Sequence, residues 1–466
     1  MTTSSIDGLV SGLNTTDLIS KLMAVEAQPQ TDLKTARTAE QTTIASYQSV
    51  NATMATLKAT ADALASTTGW SGTKAASSSD AVTATASIGA ATGTTTFDVT
   101  SLAAAQVSTL TLSDATTAVG DGSGTLSFTV GTGAAVPVTI TTNTPQGVAD
   151  AINGTSGVGV RASVVTTGDG TTVLQLSARK SGTASAFTVT GLSTGAGVTT
   201  PLTDVVAATD AKIVFGGTAA DGTVNPGGYT ATSSTNTFTG VVNGVTFTAN
   251  KVATGVGITV TADADGIADK MQAMVDAANA ALTEINKQSA YDPTANTSSP
   301  LTGDSTVRQL TDRILSAVGN GTSGYGSFKQ LGVELDSKGS VTFDRAAFLN
   351  AYQTDPSGIQ NVISRSADST TTPAVSAGLA AALSTIGKSA TDFTTGSLTT
   401  AIQGGNDLIK DMTDRIGDWD LRLASRQEAL QKQYANLEVA LGKLKDQSTW
   451  LSGQLSGLSS SSGSGG

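Results

Sequence analysis

Ile409-Lys-Asp-Met-Thr-Asp-Arg-Ile416-Gly-Asp-Trp-Asp-Leu-Arg-Leu423-Ala-Ser-Arg-Gln-Glu-Ala-Leu430-Gln-Lys-Gln-Tyr-Ala-Asn-Leu437 opens a long apolar row that decides how the chain is built. Ile409, Ile416, Leu423, Leu430, Leu437, Leu444, Leu451 and Leu458 fall seven residues apart in unbroken register. A seven-residue apolar repeat places one stripe along a helix that packs lengthwise on another helix. A second row joins the first and then changes side. Met412 and Trp419 follow it by three residues, whereas Tyr434, Leu441 and Leu455 follow it by four. The partner surface is therefore expected to shift along the helix. Near the other terminus Tyr47, Val50, Met54, Leu57, Ala61 and Leu64 alternate three and four apart. The expected leg seam pairs Tyr47, Val50, Met54, Leu57 and Leu64 with Ile409, Ile416, Leu423, Leu430 and Leu437. The plainer alternative is that both rows are amphipathic core helices of one domain.

Between these helices the composition changes. Residues 75–260 hold five basic residues, nine aspartates and no glutamate, and are dense in Thr, Gly, Ser, Val and Ala. Period-two runs such as Leu126-Ser-Phe-Thr-Val130 and Val245-Thr-Phe-Thr248, punctuated by Asp169-Gly170 and Asn243-Gly244, read as β-hairpins. Pro145 to Asn153 reads as one short helix. Helices are also expected over 267–288 and 304–318, with a hairpin turning at Lys338-Gly339 and a helix from Asp344. The fold class is thus α+β and multidomain: an elongated helical coiled-coil leg built from both termini, with two inserted all-β head domains.

The composition narrows function. The 466 residues include no cysteine and no histidine. Disulfides, thiol nucleophiles, thiolate or imidazole metal sites and Ser-His-Asp triads are excluded. The formal charge of −11, without a dense basic cluster, argues against nucleic acid. No apolar run has the length of a membrane span, so membrane insertion is not expected. The first residues lack a cationic segment ahead of an apolar stretch, and no secretory signal is read there. Asp263-Ala-Asp-Gly266 lacks the spacing of a calcium loop, its fourth position being glycine and its twelfth Met274. Asp411, Asp414, Asp418 and Asp420 interleave with Arg415 and Arg422 as a solvated helix face. No catalytic, cofactor or metal site is identified, and the chain is not read as an enzyme.

Ser5-Ile-Asp-Gly-Leu-Val-Ser-Gly-Leu-Asn-Thr-Thr-Asp-Leu-Ile-Ser-Lys-Leu-Met-Ala-Val-Glu-Ala-Gln-Pro29 closely resembles the opening of the bacterial flagellar filament cap family, also called the hook-associated protein 2 family. Asn14 stands where that family usually has aspartate, and Gln30 where it tends to be apolar. Similarity continues through Phe97-Asp-Val-Thr-Ser-Leu-Ala-Ala-Ala-Gln106, Asn143-Thr-Pro-Gln-Gly-Val-Ala-Asp-Ala-Ile-Asn153, Leu331-Gly-Val-Glu-Leu-Asp-Ser-Lys-Gly-Ser-Val-Thr-Phe343 and Gln447-Ser-Thr-Trp-Leu451. The outer β region is only loosely matched. The resemblance implies a cap at the distal tip of the filament that promotes folding and insertion of exported flagellin and prevents its loss. It implies a homo-oligomeric ring of about four to six subunits, contacts with flagellin and hook–filament junction proteins, and an export chaperone at the C-terminal region. It also implies export through the flagellar apparatus to the extracellular tip. The expected segments, named by this resemblance, are 1–35, flexible; 36–75 with 263–445, the helical leg domain with small β elements; 76–108 with 205–262, an inner head; 109–204, an outer head; and 446–466, flexible. By the same resemblance Ile6, Leu9, Leu13, Leu18, Leu22, Leu444, Leu451 and Leu455 would contact the filament, disordered alone and ordered on contact. The rival readings are another flagellar axial subunit, flagellin-like or a junction protein, and a surface adhesin.

Overall fold

The computed structural model describes residues 12, 14–194, 202–370 and 374–461. It divides into two compact units, one of residues 1–66 with 268–466 and one of 67–267.

The chain enters through α1 (Thr15–Glu26) and α2 (Gln28–Ala65). Asn14 caps α1 by accepting from the Asp17 amide at 2.9 Å, the service an aspartate would give. Only Ala27 separates the two helices. Pro29 stands in the first turn of α2, where its missing N–H costs nothing but the preceding helix cannot run through it.

The second unit begins with β1 (Thr73–Ser77), β2 (Val82–Ala86) and β3 (Gly93–Ser101), then leaves through β4 (Val107–Leu112), β5 (Thr125–Val130), β6 (Val136–Thr139) and α3 (Pro145–Gly154). It continues through β7 (Val160–Thr166), β8 (Thr172–Ala178), β9 (Phe187–Thr190) and β10 (Thr203–Val206). It returns through β11 (Ala211–Phe215), β12 (Tyr229–Ser233), β13 (Thr237–Val242), β14 (Val245–Ala249) and β15 (Ala253–Ala262). The returning strands join the first three in a five-stranded sheet, β1-β15-β3-β11-β12, and a three-stranded one, β13-β14-β2. Their shared core is Val82, Phe97, Val99, Ile213, Phe215, Phe238, Phe247 and Ile258 with their neighbours. Phe97 stacks on Phe247 at 4.9 Å between centroids, and Phe238 on Phe247 at 5.3 Å. A second core lies between sheets β10-β4-β8-β7 and β6-β5-β9. Leu110, Leu126, Phe128, Leu174 and Leu176 fill it, together with Val148, Ala149 and Ile152 from α3. Among the described residues no buried one belongs to both cores.

Aspartates of this unit serve turns and strand contacts. Asp169 accepts from the Thr167 hydroxyl and the Thr171 amide at the β7–β8 turn, and Gly170 beside it takes φ +87°. Asp98, nearly buried, accepts from the amides of Gly255 and Thr218 at 2.7 and 2.9 Å, and from the Thr218 hydroxyl. The Gly255 amide leads the donors that hold this carboxyl below its usual range against the opposing effect of burial.

The first unit resumes with α4 (Ala264–Ser289), a two-residue hairpin of β16 (Tyr291–Asp292) and β17 (Thr297–Ser298), and α5 (Ser305–Gly319). Then follow β18 (Val333–Leu335) and β19 (Val341–Phe343), paired across the expected Lys338-Gly339 turn with Gly339 at φ +79°. Asp304 and Asp344 cap α5 and α6 (Arg345–Thr354). Two further helices, α7 (Pro356–Ser364) and α8 (Leu379–Thr391), precede α9 (Ser397–Ser461).

Candidate interaction surface of the terminal helices

The helical unit is organised on α2. Val50, Met54, Leu57, Ala61 and Leu64 are wholly buried in it. Polar contacts at their margins show what covers this half of the helix. The Tyr47 hydroxyl donates to Asp304 Oδ2 at 2.6 Å, at the start of α5. Ser49 donates to Glu284 of α4 at 2.6 Å, and Ser384 of α8 donates to Asp62. Gly387 of α8 lies against the Lys58 backbone.

The other half of α2 meets α9, which runs antiparallel to it. Gly405 lies against Glu40 and Ile44. Fourteen positions earlier in α2, Gln30 reaches α9 again: its Nε2 donates to the Ile416 carbonyl at 3.2 Å and to Asp420 Oδ1 at 2.5 Å. Its Oε1 accepts from Lys34 at 3.1 Å. Gln30 is therefore a buried polar clamp that uses both amide hydrogens and its carbonyl oxygen, a type of contact that fixes the register of two helices. Farther along, Glu26 at the end of α1 pairs with Arg426 at 2.9 Å, and α1 continues along α9. An open cleft of about 430 Å³ between Pro29, Asp32, Leu33 and Ala36 of α2 and Arg415 and Trp419 of α9 borders the clamp. Arg422 covers the Trp419 ring at 4.5 Å.

The expected pairing of the two apolar rows is thus displaced. Tyr47 to Leu64 face α8, α4 and α5, while Ile409 to Leu430 lie beside the 26–44 stretch and α1. The physical reason is α8, which occupies the groove that α9 was expected to fill. Its own row, Leu379, Leu383, Ile386 and Ala390, has helical spacing that the sequence reading passed over. Ile416 and Leu430 are buried, whereas Ile409 and Leu423 are half-buried.

Beyond Leu430 the cover by the described helices thins out. Leu437, Leu444, Leu451 and Leu455 are 44%, 60%, 54% and 61% exposed, with Val439 and Trp450 exposed beside them. On α1, Ile19 is buried but Leu18 and Leu22 are each 40% exposed. Ile6, Leu9 and Leu13 lie outside the described residues, as does the side chain of Leu458. Of the terminal segments expected to be flexible, residues 14–35 are α1 and the first turns of α2, and 446–461 continue α9. Among the described residues no element covers this apolar stripe, and an exposed apolar row on a formed helix is a surface suited to a partner.

The acidic groupings take structural roles. Asp263 accepts from the Gly266 amide at 3.1 Å as α4 begins, and Asp265 pairs with Lys74 at 2.7 Å. Asp411 faces Arg415 at 3.6 Å, and Asp420 is the Gln30 partner. Among the described residues no helix is long and apolar enough to cross a membrane.

The interhelical carboxylates set an acid limit. The Ser49 hydroxyl foremost holds Glu284 below its ordinary range. Burial pushes Asp62 up, but Lys58 and Ser384 outweigh it and the group is lowered. Depressed carboxylates stabilise the fold above their ordinary range and lose that contribution as pH falls through the folded value. Burial, then Asp304, raises the Tyr47 hydroxyl, so its contribution holds below the ordinary tyrosine range and is lost as pH rises through the folded value. The sequence has no histidine or cysteine, the side-chain types whose ordinary range lies between these limits. The urea midpoint followed by helical circular dichroism is expected to be flat from about pH 6 to 9 and to fall below about pH 4.5. A midpoint that drifts across the flat interval would contradict this assignment.

Comparison with known proteins places this architecture. Residues 11–106 match the family model described as flagellar hook-associated protein 2 N-terminus. Residues 208–446 match the one described as flagellar hook-associated protein 2 C-terminus. The interval between the two matches holds the second β core. The flagellar hook-associated protein 2 of Escherichia coli strain K12 is 28% identical over 474 residues, covering 97% of this chain and 98% of that one. Its counterpart in Escherichia coli O157:H7 has the same identity and coverage. A crystal structure of the flagellar cap protein FliD D1-D2-D3 domains from Escherichia coli shares the fold with a TM-score of 0.54 at 24% identity. It covers 78% of this chain and 99% of that one.

Proposed function

Since the chain belongs to the flagellar hook-associated protein 2 family, we propose that it is a subunit of the cap at the distal tip of the bacterial flagellar filament. There it promotes folding and insertion of exported flagellin and prevents the loss of subunits. The observation that carries this reading is the leucine stripe from Leu437 to Leu455, exposed among the described residues, which continues the same seven-residue row that packs internally at Ile416 and Leu430. One helix thus carries a fixed half and a half that needs a partner. In the cap, the exposed half with Leu18 and Leu22 of α1 contacts the last flagellin subunits, and the terminal segments 1–35 and 446–466 change partners as the filament grows. The work is mechanical and requires no catalytic group. The subunits form a closed ring of about four to six copies. The chain meets hook–filament junction proteins before flagellin, and an export chaperone holds its C-terminal region before export through the flagellar apparatus.

Complementation tests the proposal. Expressed in a flagellated bacterium lacking its own cap protein, the chain is expected to restore full-length filaments and swimming, with the protein at filament ends. Filaments built from this chain along their length would make it a filament subunit instead. A secreted, folded chain that leaves flagellin shed into the medium would overturn the assignment.

A further inference from the structure

The two β cores of the second unit are joined by a contact unlike either interior. Two short chain segments cross between them, Leu102–Gln106 outward and Val206–Asp210 back. The cores part within this ribbon: Ala103 packs against one and Ala105 against the other. Ala104 between them pairs both of its backbone groups with Thr209, at 3.0 and 3.2 Å. Asn236 holds the outgoing segment by accepting from the Ala103 amide at 2.7 Å.

Beside the ribbon stands the turn after β8. Ser181 Oγ donates to the Ser234 carbonyl, between β12 and β13, at 2.7 Å. The Thr183 amide and hydroxyl donate to the two carboxylate oxygens of Asp210 at 2.7 and 2.9 Å. Gly182, at φ +94°, lets the turn approach this closely: a Cβ there would lie 2.6 Å from Ser234 Cβ and 2.8 Å from its Cα. These side-chain hydrogen bonds are partly open to solvent, where water competes for each partner and the net gain is small. An interface of this polar kind permits relative motion once its few bonds are broken.

We propose that Ser181–Thr183 is a latch that fixes the outer β body, residues 107–206, on the inner one. With the latch open, the outer body swings about the Ala103–Gln106 and Val206–Thr209 ribbon while both cores stay intact. The inference does not depend on the cap assignment.

The cysteine-free chain allows a direct test by paired spin labels at Gln146→Cys on α3 and Thr83→Cys on β2, both exposed positions. The labelled protein is expected to give one narrow distance distribution. Adding Ser181→Ala with Asp210→Ala is expected to widen it roughly two-fold, and Ser181→Ala alone to widen it less. Amide-exchange protection at Leu126–Val130 and Phe97–Val99 should persist, showing that both bodies remain folded. An unchanged width in the double variant, or a distribution already broad in the labelled protein without it, would overturn the latch. If the double variant loses core protection, the single variant decides: an unchanged width there overturns the proposal.

Discussion

Gly387→Val is expected to destabilise the helical unit by about 3 kcal/mol, near the upper end for forcing extra methyls into a packed interior. A Cβ at Gly387 would lie 2.7 Å from Lys58 Cβ, 3.0 Å from its Cα and 3.2 Å from its nitrogen. Two of these atoms are backbone in the middle of a 38-residue helix, so no rotamer change relieves the contact. The helices must separate, which strains the Ser384–Asp62 hydrogen bond and loosens the cover over the α2 row. Gly404 provides the control. A Cβ there meets nothing within 4 Å, and Gly404→Ala should stabilise by about 0.5–1 kcal/mol through helix propensity alone. Urea unfolding followed by helical circular dichroism reads this unit, since the other described unit is mostly strand. A Gly387→Val midpoint within about 0.5 kcal/mol of the parent would show that α2 and α8 are not in backbone contact.

These residues also show where the sequence was readable and where it was not. The heptad row gave a long C-terminal helix because every seventh position is apolar, a signal independent of its partner. The β region was legible for the same local reason: alternation plus Asp169-Gly170 and Asn243-Gly244 specify hairpins whose twist only glycine or asparagine turns match. Caps at Asn14, Asp304 and Asp344 are likewise local chemistry. Partner choice is not local. Nothing in Tyr47 to Leu64 distinguishes α8 from α9 as the covering helix, since both offer aliphatic rows at compatible spacing. Gly387 permits the close approach of α8 to this half of α2, and its meaning appears only once Lys58 is opposite it.

Gln30 was visible as a departure from the family pattern, yet its role depends on Ile416 and Asp420, nearly four hundred positions away. A polar residue on an apolar face reads as a weakness until its hydrogen bonds are found. The heptad row carries the same ambiguity in reverse. Buried Leu430 and exposed Leu444 occupy equivalent positions in one repeat, and sequence alone cannot separate them. They differ because, among the described residues, α2 and α1 lie along α9 only as far as the start of α1 at Thr15, and none of the described helices packs over Leu444.

That division yields a sharp functional expectation. Replacing Leu444, Leu451 and Leu455 together by aspartate should leave the urea midpoint of the isolated protein within about 0.5 kcal/mol, because all three side chains already face solvent. The same variant should abolish swimming in the complemented strain. Fully burying a leucine contributes about 1.5–3 kcal/mol, and these three are only 54–61% exposed, so losing all three removes about 2.5–5 kcal/mol before any cost of burying the new carboxylates. At about 1.4 kcal/mol per tenfold, that alone is about a hundredfold to a few thousandfold in affinity, and burying three carboxylates adds to it. Ile416→Asp and Leu430→Asp should behave oppositely, unfolding the helical unit first, since those positions are closed by the protein itself. A triple variant that still caps filaments would locate the working surface elsewhere than on the end of α9. A triple variant that unfolds in isolation would mean that this half of the helix is covered within the monomer, and the division between a fixed and a partner-seeking half would fail.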